Sequence, residues 1–200
     1  MNVITYRVKN GIYINLTNRC PNACSFCIRN YGPTAYGSEP LWLDSEPTAI
    51  DVIKSFEQYN PNSFDEIVYC GYGEPTEALD VLIDSAKILK EKYGKPIRIN
   101  TNGQSDLING KETAPLFKGL IDTVSISMNE SDAKKYDALC KSAYGEKAYD
   151  ALLKFGADCV KYVPNVVFTV VDTTLTEDEK EICRKRAENA GAKFRVREFI

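Results

Sequence analysis

The chain has 200 residues, of which 44% are hydrophobic and 26% charged, and its formal net charge is −3. This composition is typical of a globular protein, and no stretch approaches the roughly 20 apolar residues that a membrane span requires. Histidine is absent, which excludes His-ligated zinc, Ser-His and Cys-His nucleophiles, and histidine acid–base chemistry within this chain.

The N-terminal segment and the overall charge predict the compartment and the partners. Residues Met1 to Arg7 lack the basic segment, apolar run and cleavage site of a signal peptide, so we expect a cytoplasmic protein with no membrane partner. An acidic pI near 5.2 supplies no general attraction to nucleic acid, although basic residues between Arg184 and Arg197 leave a local patch open. Seven cysteines indicate a metal or catalytic site rather than disulfides.

Six apolar, β-branched runs of strand length alternate with amphipathic stretches, which predicts βα units and a parallel sheet. Such a series forms a doubly wound open sheet or an incomplete barrel, and periodicity alone does not choose between them. No change of composition marks a linker, so residues 1–200 are expected to form a single domain with no accessory domain. The predicted strands are Gly11 to Leu16, Glu66 to Cys70, Pro96 to Asn100, Thr123 to Met128, Asn165 to Val171 and Lys193 to Phe199.

Five helices are predicted between these strands from their start and stop signals. The irregular stretch from Asn30 to Leu43 is the longest one, and we expect a lid or substrate loop there. The predicted helices are Leu43 to Tyr59 with Pro47 in its first turn, Glu77 to Tyr93 capped by Gly94, one after Ser131, one from Gly145 to near Gly156, and one from a Thr176–Glu179 capping box to Gly191.

Cys20, Cys24 and Cys27 lie within one short segment just after the first predicted strand. Three thiolates leave one iron of a four-iron cluster without a protein ligand from this loop, and an open coordination position is typical of a catalytic metal site. The alternatives are cysteines buried in the core, or a zinc loop completed by a distant cysteine such as Cys70. Zinc sites usually show paired C-x-x-C motifs, whereas a single C-x-x-x-C-x-x-C motif occurs here, so the cluster is favoured.

The spacing C-x-x-x-C-x-aromatic-C, with Phe26 as the aromatic residue, resembles the signature of the radical S-adenosylmethionine (SAM) superfamily. The resemblance extends along the chain and implies an α/β fold, an incomplete (β/α)6 barrel of parallel strands. It also implies two cofactors, SAM and a [4Fe-4S] cluster with Cys20, Cys24 and Cys27 as its ligands. The compact chain is further similar to small activating enzymes and to the subgroup associated with TatD-type nucleases.

The run from Gly71 to Thr76, Gly-Tyr-Gly-Glu-Pro-Thr, follows the second predicted strand and is similar to the SAM-binding turn of this family. The resemblance assigns Gly71 and Gly73 to the amino end of SAM, and Glu74 offers an acceptor for the ammonium group. Ser127 and Asn129 are similar to the element that contacts the ribose or carboxylate of SAM. An ordinary strand-to-helix turn, and helix capping or an Asx turn, are the respective alternatives.

Two further groups of residues have less specific patterns. Arg195 and Arg197 lie two positions apart and therefore on one face of the last predicted strand, which suits a carboxylate or phosphate; a solvated strand edge is the alternative. The remaining cysteines lack the spacing of a second cluster motif, so we expect buried or idle thiols. They are Cys70, Cys140, Cys159 and Cys183.

The resemblance implies reductive cleavage of SAM to methionine and a 5'-deoxyadenosyl radical, which abstracts hydrogen from a substrate. This chemistry requires an external one-electron donor as a partner. The substrate is expected to be a protein or peptide, or a small molecule. The alternative functions are a non-enzymatic Fe-S or zinc binding module, and an RNA-modifying enzyme with the same radical chemistry.

Overall fold

The computed structural model describes residues 2–198, without the side chain of Thr174, and its strands form one sheet. The strands are β1 (Thr5–Val8), β2 (Gly11–Ile14), β3 (Glu66–Tyr69), β4 (Ile97–Thr101), β5 (Thr123–Ser127), β6 (Asn165–Val171) and β7 (Lys193–Arg197). They lie side by side in chain order. Only β1 and β2 pair antiparallel among them; every later neighbour is parallel.

The six predicted strands correspond to β2 through β7, with ends that differ by one or two residues. The predicted end of the last strand, Phe199, lies outside the described residues. The sequence analysis missed β1, which forms a tight hairpin with β2 through pairs such as Tyr6 with Tyr13. Its alternating pattern was used only to exclude a signal peptide.

The helices alternate with the parallel strands. They are α1 (Ala49–Ser55), α2 (Leu79–Tyr93), α3 (Ser105–Asn109), α4 (Ala133–Cys140), α5 (Lys147–Cys159) and α6 (Glu177–Asn189). The capping box of Thr176 and Glu179 is present at the start of α6, and Gly94 ends α2 with a left-handed φ of 62°. The short helix α3 was not predicted, because five residues carry too little periodicity.

The predicted start of the first helix, at Leu43 with Pro47 in its first turn, is wrong. The helix begins after Thr48, whose side chain accepts a hydrogen bond from the backbone N–H of Asp51, while the Asp51 carboxylate accepts one from the Thr48 N–H. This capping box satisfies two of the free N–H groups of a helix start. Pro47 therefore lies outside the helix, and the chain before it stays irregular.

The predicted end, near Gly156, of the helix that starts after Gly145 is also wrong, because α5 continues to Cys159. Gly156 is present for packing: a Cβ there would lie 2.2 Å from the Cζ atom of Phe168 on β6. A glycine inside a helix costs about 1 kcal/mol relative to alanine, and here it lets the helix approach the sheet. Gly156 therefore marks a close contact rather than a helix end.

The main core lies between one face of the sheet and the helices. Strand residues such as Ile67, Ile99 and Phe168 are fully buried there against helix residues such as Leu82 and Leu152. The opposite face is more polar and carries a smaller cluster, formed by Tyr6, Ala35, Leu41 and Tyr72.

The sheet curls without closing. Tyr13 of β2 and Arg197 of β7, from the two ends of the parallel series, line the same cavity on the polar face. This arrangement is an incomplete barrel and confirms the predicted fold class. Within residues 2–198, no helix combines the length and apolar character needed to cross a membrane.

Candidate active site

A cavity of about 250 Å³ lies where the parallel strands end. Catalytic groups in barrels of parallel strands gather at this edge. Each of the six parallel strands contributes residues at or just after its carboxyl end. The contributing residues are Cys20, Cys24, Phe26 and Cys27 after β2, Cys70, Gly71 and Tyr72 after β3, Asn102 after β4, Ser127 and Asn129 from β5 onward, Val171 from β6, and Arg197 and Glu198 from β7.

The three predicted metal ligands all line this cavity and are half-buried. Two N–H groups lie near their sulfur atoms: Arg29 Nε donates to Cys27 Sγ at 3.4 Å, and Asn102 Nδ2 lies 4.0 Å from Cys20 Sγ. Burial raises the pKa of Cys20 to about 12. Three soft thiol ligands with nearby N–H donors are the chemistry that an iron–sulfur cluster requires.

The thiol of Cys24 interacts with that of Cys140 at the end of α4, and this interaction raises the pKa of Cys24 and lowers that of Cys140. In the described part of the chain, no three Cys, Asp or Glu side chains are already arranged around a single metal position. Cys140 was predicted to be a buried or idle thiol; it is buried, and it contacts the cysteine loop.

The backbone of the cysteine loop is held by the end of α4. Ala23 N–H donates to the carbonyl oxygen of Cys140 at 3.0 Å, and Ser25 N–H donates to that of Leu139 at 3.1 Å. In return, the N–H of Ala143 donates to the carbonyl oxygen of Pro21 at 2.8 Å. We call these three hydrogen bonds the α4 clamp.

A buried polar network fixes Asn22, which lies between the first two cysteines. Its Nδ2 donates to the hydroxyl of Tyr136 at 3.1 Å, and its Oδ1 accepts from Gln104 Nε2 at 2.9 Å. Gln104 Nε2 also donates to Tyr136, and Gln104 Oε1 accepts from the Ser142 hydroxyl. These partners come from elements far apart in sequence, which is why the sequence analysis did not identify them.

The glycine turn packs tightly against the segment that follows β2. A Cβ on Gly71 would lie 2.1 Å from Asn15 Oδ1, and one on Gly73 would lie 2.3 Å from the carbonyl oxygen of Thr17. Asn15 Oδ1 also accepts from the backbone N–H of Tyr72 at 3.2 Å. Both glycines are therefore required by close packing, and Gly71 in addition lines the cavity.

Glu74 is buried at 3% exposure and its carboxylate already has four donors. Oε1 accepts from the hydroxyl of Thr101 at 2.7 Å and from the hydroxyl and N–H of Thr76, while Oε2 accepts from the N–H of Asn102 at 2.7 Å. Desolvation raises the pKa of this carboxyl group. Glu74 therefore ties the glycine turn to the end of β4, and its contact with a SAM ammonium group stays a prediction.

Ser127 and Asn129 both line the cavity, as does Phe26. Asn129 has a left-handed φ of 61°, which asparagine tolerates better than most residues. Its N–H donates to the carbonyl oxygen of Thr169, and its Nδ2 donates to Cys140 Sγ at 3.5 Å. The structure thus places all three residues at the cavity; their contacts with SAM stay predictions.

The irregular stretch from Asn30 to Leu43 covers part of this cavity. Ala35, Tyr36 and Leu41 line it, and the Tyr72 hydroxyl donates to the carbonyl oxygen of Gly32 at 2.8 Å. The sequence analysis missed Tyr36, Tyr72 and Asn102 as cavity residues. For Tyr72 and Asn102, the position beside Gly71 and Gly103 in two strand-end turns was the available signal, and for Tyr36 it was the irregular stretch from Asn30 to Leu43.

Comparison with known proteins gives both sequence and structural relatives. The chain is 27% identical, over 154 residues, to the dual-specificity RNA methyltransferase RlmN of Nautilia profundicola, covering 72% of this chain and 41% of RlmN. A radical SAM methyltransferase from Sphaerobacter thermophilus has a similar structure, with a TM-score of 0.67, 15% identity, and coverage of 97% of this chain and 57% of that protein. For SuiB of Streptococcus suis bound to S-adenosylmethionine, the TM-score is 0.65, the identity 19%, and the coverage 94% and 38%.

The chain spans less than two thirds of the length of each of these three proteins. The structural likenesses support the same incomplete barrel. The family model of the radical SAM superfamily matches residues 14–192, which include the cysteine loop and the strands β3 to β6. The chain therefore belongs to the radical SAM superfamily of enzymes.

Proposed function

We propose that Cys20, Cys24 and Cys27 hold a [4Fe-4S] cluster and that SAM binds beside it in the 250 Å³ cavity. The observation that carries this proposal is the convergence of the three thiols with residues from the ends of all six parallel strands on a single cavity. When bound, the two cofactors supply reductive cleavage of SAM and a 5'-deoxyadenosyl radical that abstracts hydrogen from the substrate.

The residues of this chain position the cofactors and exclude water. The N–H groups of Arg29 and Asn102 lie near two of the sulfur atoms, where they stabilise negative charge. In the proposed complex, backbone at Gly71 and Gly73 and the carboxylate of Glu74 orient the methionine end of SAM. The covering loop limits the access of solvent to the reacting atoms.

Ser127 and Asn129 bind the ribose in this proposal, and Phe26 packs beside the cluster. An external one-electron donor supplies the electron. The substrate is a protein or peptide, or a small molecule, which enters from the polar face of the sheet.

The test is production of 5'-deoxyadenosine. The protein is reconstituted with iron and sulfide without oxygen, mixed with SAM and dithionite, and analysed by mass spectrometry beside Cys24→Ala and Cys159→Ala. Cys159 is buried and lies away from the cavity, so its variant should keep activity while Cys24→Ala loses it. Equal iron content and equal product in both variants would overturn the proposal. Absence of product in every protein is followed by a SAM titration, and absence of SAM binding also overturns it.

A second candidate function is methyl transfer to RNA, which is favoured by the 27% identity to an RNA methyltransferase. The net charge of −3 predicts weak nonspecific attraction to RNA. Filter binding of an RNA fragment, at low and moderate salt, tests this candidate together with transfer of a labelled methyl group from SAM. This candidate would be excluded if RNA bound only at low salt and no labelled methyl group appeared in the RNA.

A further inference from the structure

A second, larger cavity of about 1250 Å³ opens on the polar face of the sheet. It is lined by residues of β2, β3, β4 and β7 and by the loops at the start of these strands. Tyr36, Arg197 and Glu198 line both this cavity and the smaller one at the strand ends, so the two cavities are adjacent. A ligand in the larger cavity can therefore reach the cofactor cavity past these three side chains.

Two of the charged groups that line the larger cavity, Arg98 and Glu66, are paired with each other. Arg98 binds the carboxylate of Glu66 through two hydrogen bonds, of 2.7 and 3.1 Å, and also donates to Asn100 and Tyr13. This pair needs no ligand to balance its charge. Asp65 accepts a hydrogen bond from Asn10.

Unlike Arg98, Arg197 has a buried N–H group without a hydrogen-bond acceptor among the described residues. Its Nε is inaccessible to solvent and has no hydrogen-bond partner among the described residues. No ion pair with Glu198 or any other carboxylate forms within residues 2–198, although Glu198 lines the same cavities. Burial, and then the nearby charge of Arg195, lower the pKa of Arg197. A buried N–H group without an acceptor is costly, and a bound oxyanion would supply that acceptor.

Arg195 adds a second guanidinium from the same face of β7. It is exposed and lines the larger cavity but not the smaller one. The pair of arginines therefore faces the larger cavity, with Arg197 at its junction with the smaller. Because the Nε of Arg197 is buried, this residue does not fit the alternative of a solvated strand edge.

We propose that Arg197, assisted by Arg195, binds a carboxylate or phosphate group of the substrate at the junction of the two cavities. The inference rests on the proposed function, since it places the substrate beside the SAM cavity. Binding of the anionic end at Arg197 fixes the distance between the rest of the substrate and the reacting atoms. The substrate class is thus an oxyanion-bearing molecule held by two guanidinium groups.

The experiment measures binding of two probes, inorganic phosphate and succinate, to the reconstituted protein by isothermal titration calorimetry. The variants are Arg197→Gln, Arg197→Lys and Arg195→Gln, with Arg184→Gln as the control. Arg184 is exposed on α6 and pairs with Glu181, away from both cavities. SAM affinity is measured for every variant, and circular dichroism checks that each one folds.

Arg197→Gln should raise the Kd of the bound probe about tenfold, which is the effect of losing one charge-assisted hydrogen bond. Arg197→Lys should restore part of the affinity, Arg195→Gln should weaken binding less, and Arg184→Gln should leave it unchanged. SAM affinity should stay within about twofold of wild type. The probe that binds more tightly distinguishes a phosphate from a carboxylate substrate.

Three outcomes would overturn the inference: neither probe binds the wild type, Arg184→Gln weakens binding as much as Arg197→Gln, or Arg197→Gln weakens SAM binding and leaves the probes unaffected. The last outcome would assign Arg197 to SAM itself. If Arg197→Gln fails to fold, the test uses Arg195→Gln instead. An unchanged probe affinity in that variant would contradict a site formed by both arginines. The anion titrations need no SAM cleavage, so a missing deoxyadenosine product would challenge the proposed function without affecting them.

Discussion

Gly73 lies directly against Thr17, so that a Cβ on the glycine would stand 2.3 Å from the threonine carbonyl oxygen. The Arg19 carbonyl oxygen is nearly as close, at 2.6 Å. Both atoms belong to the backbone, and neither can rotate away. The glycine turn and the start of the cysteine loop are thereby fixed relative to each other.

Gly73→Ala should lower the free energy of unfolding by about 2 to 3 kcal/mol, because an added methyl group must displace the backbone. Urea denaturation measures this change. Gly94→Ala is the control: nothing lies within 4 Å of its Cβ position, and only its φ of 62° opposes a side chain, at about 1 kcal/mol. Equal losses in the two variants would show that the close contact has no energetic consequence.

Tyr136→Phe should destabilise the protein by about 1 to 3 kcal/mol, since one N–H of the Asn22 amide and one of the Gln104 amide lose their acceptor. It should also speed the loss of iron from the reconstituted protein. Tyr149→Phe removes another buried hydroxyl, which donates to the carbonyl oxygen of Glu130. That variant should lose stability and keep the iron-loss rate of the wild type; the same acceleration in both would refute a specific role of the network.

Cys140→Ala should leave the iron content unchanged, because the three proposed ligands stay in place. The free energy of unfolding should fall by about 1 to 2 kcal/mol through loss of a buried sulfur and its hydrogen bonds. Iron analysis after reconstitution, beside Cys159→Ala, measures the first effect. A loss of iron confined to Cys140→Ala would instead make Cys140 part of the metal site.

The N-terminal cap of α6 should make the free energy of unfolding decrease as the pH falls into the acid range. Lys135, followed by hydrogen bonds from Thr176, lowers the pKa of Glu179 to about 2, whereas an unfolded glutamate has a pKa of about 4.3. The stabilisation is complete above the unfolded value and is lost as the pH falls from about 4.3 to about 2. The difference in urea midpoint between wild type and Glu179→Gln should therefore shrink over this range. Glu181→Gln, on the same helix outside the cap, is the control.

The presence of the parallel strands and the position of the cysteine loop were accessible from the sequence, because both depend on local patterns, whereas the choice of an incomplete barrel rested on the family resemblance. Buried β-branched runs mark β2 to β7, and the thiol spacing marks the loop. The boundaries of α1 and α5 were not accessible. At Thr48 the capping box outweighs the preceding apolar residues, and at Gly156 the deciding neighbour, Phe168, lies on a different strand.

Much of the candidate site also depends on contacts between distant segments. Cys140 meets Cys24 only because α4 packs beside the cysteine loop. Arg197 reaches the cofactor cavity only because the sheet curls. The sequence places Arg195 and Arg197 on one face, but the burial of the Arg197 Nε and the exposure of Arg195 follow from the tertiary structure.

The α4 clamp determines at which step, folding or cofactor binding, the cysteine loop loses its conformational entropy. Its hydrogen bonds join Pro21, Ala23 and Ser25 to the end of α4 and the residues just after it, without any metal, so the conformational entropy of the loop is lost during folding rather than on cofactor binding. Zinc fingers show the opposite order, since they fold only when the metal binds. We therefore expect the chain to fold first and to accept its cluster afterwards.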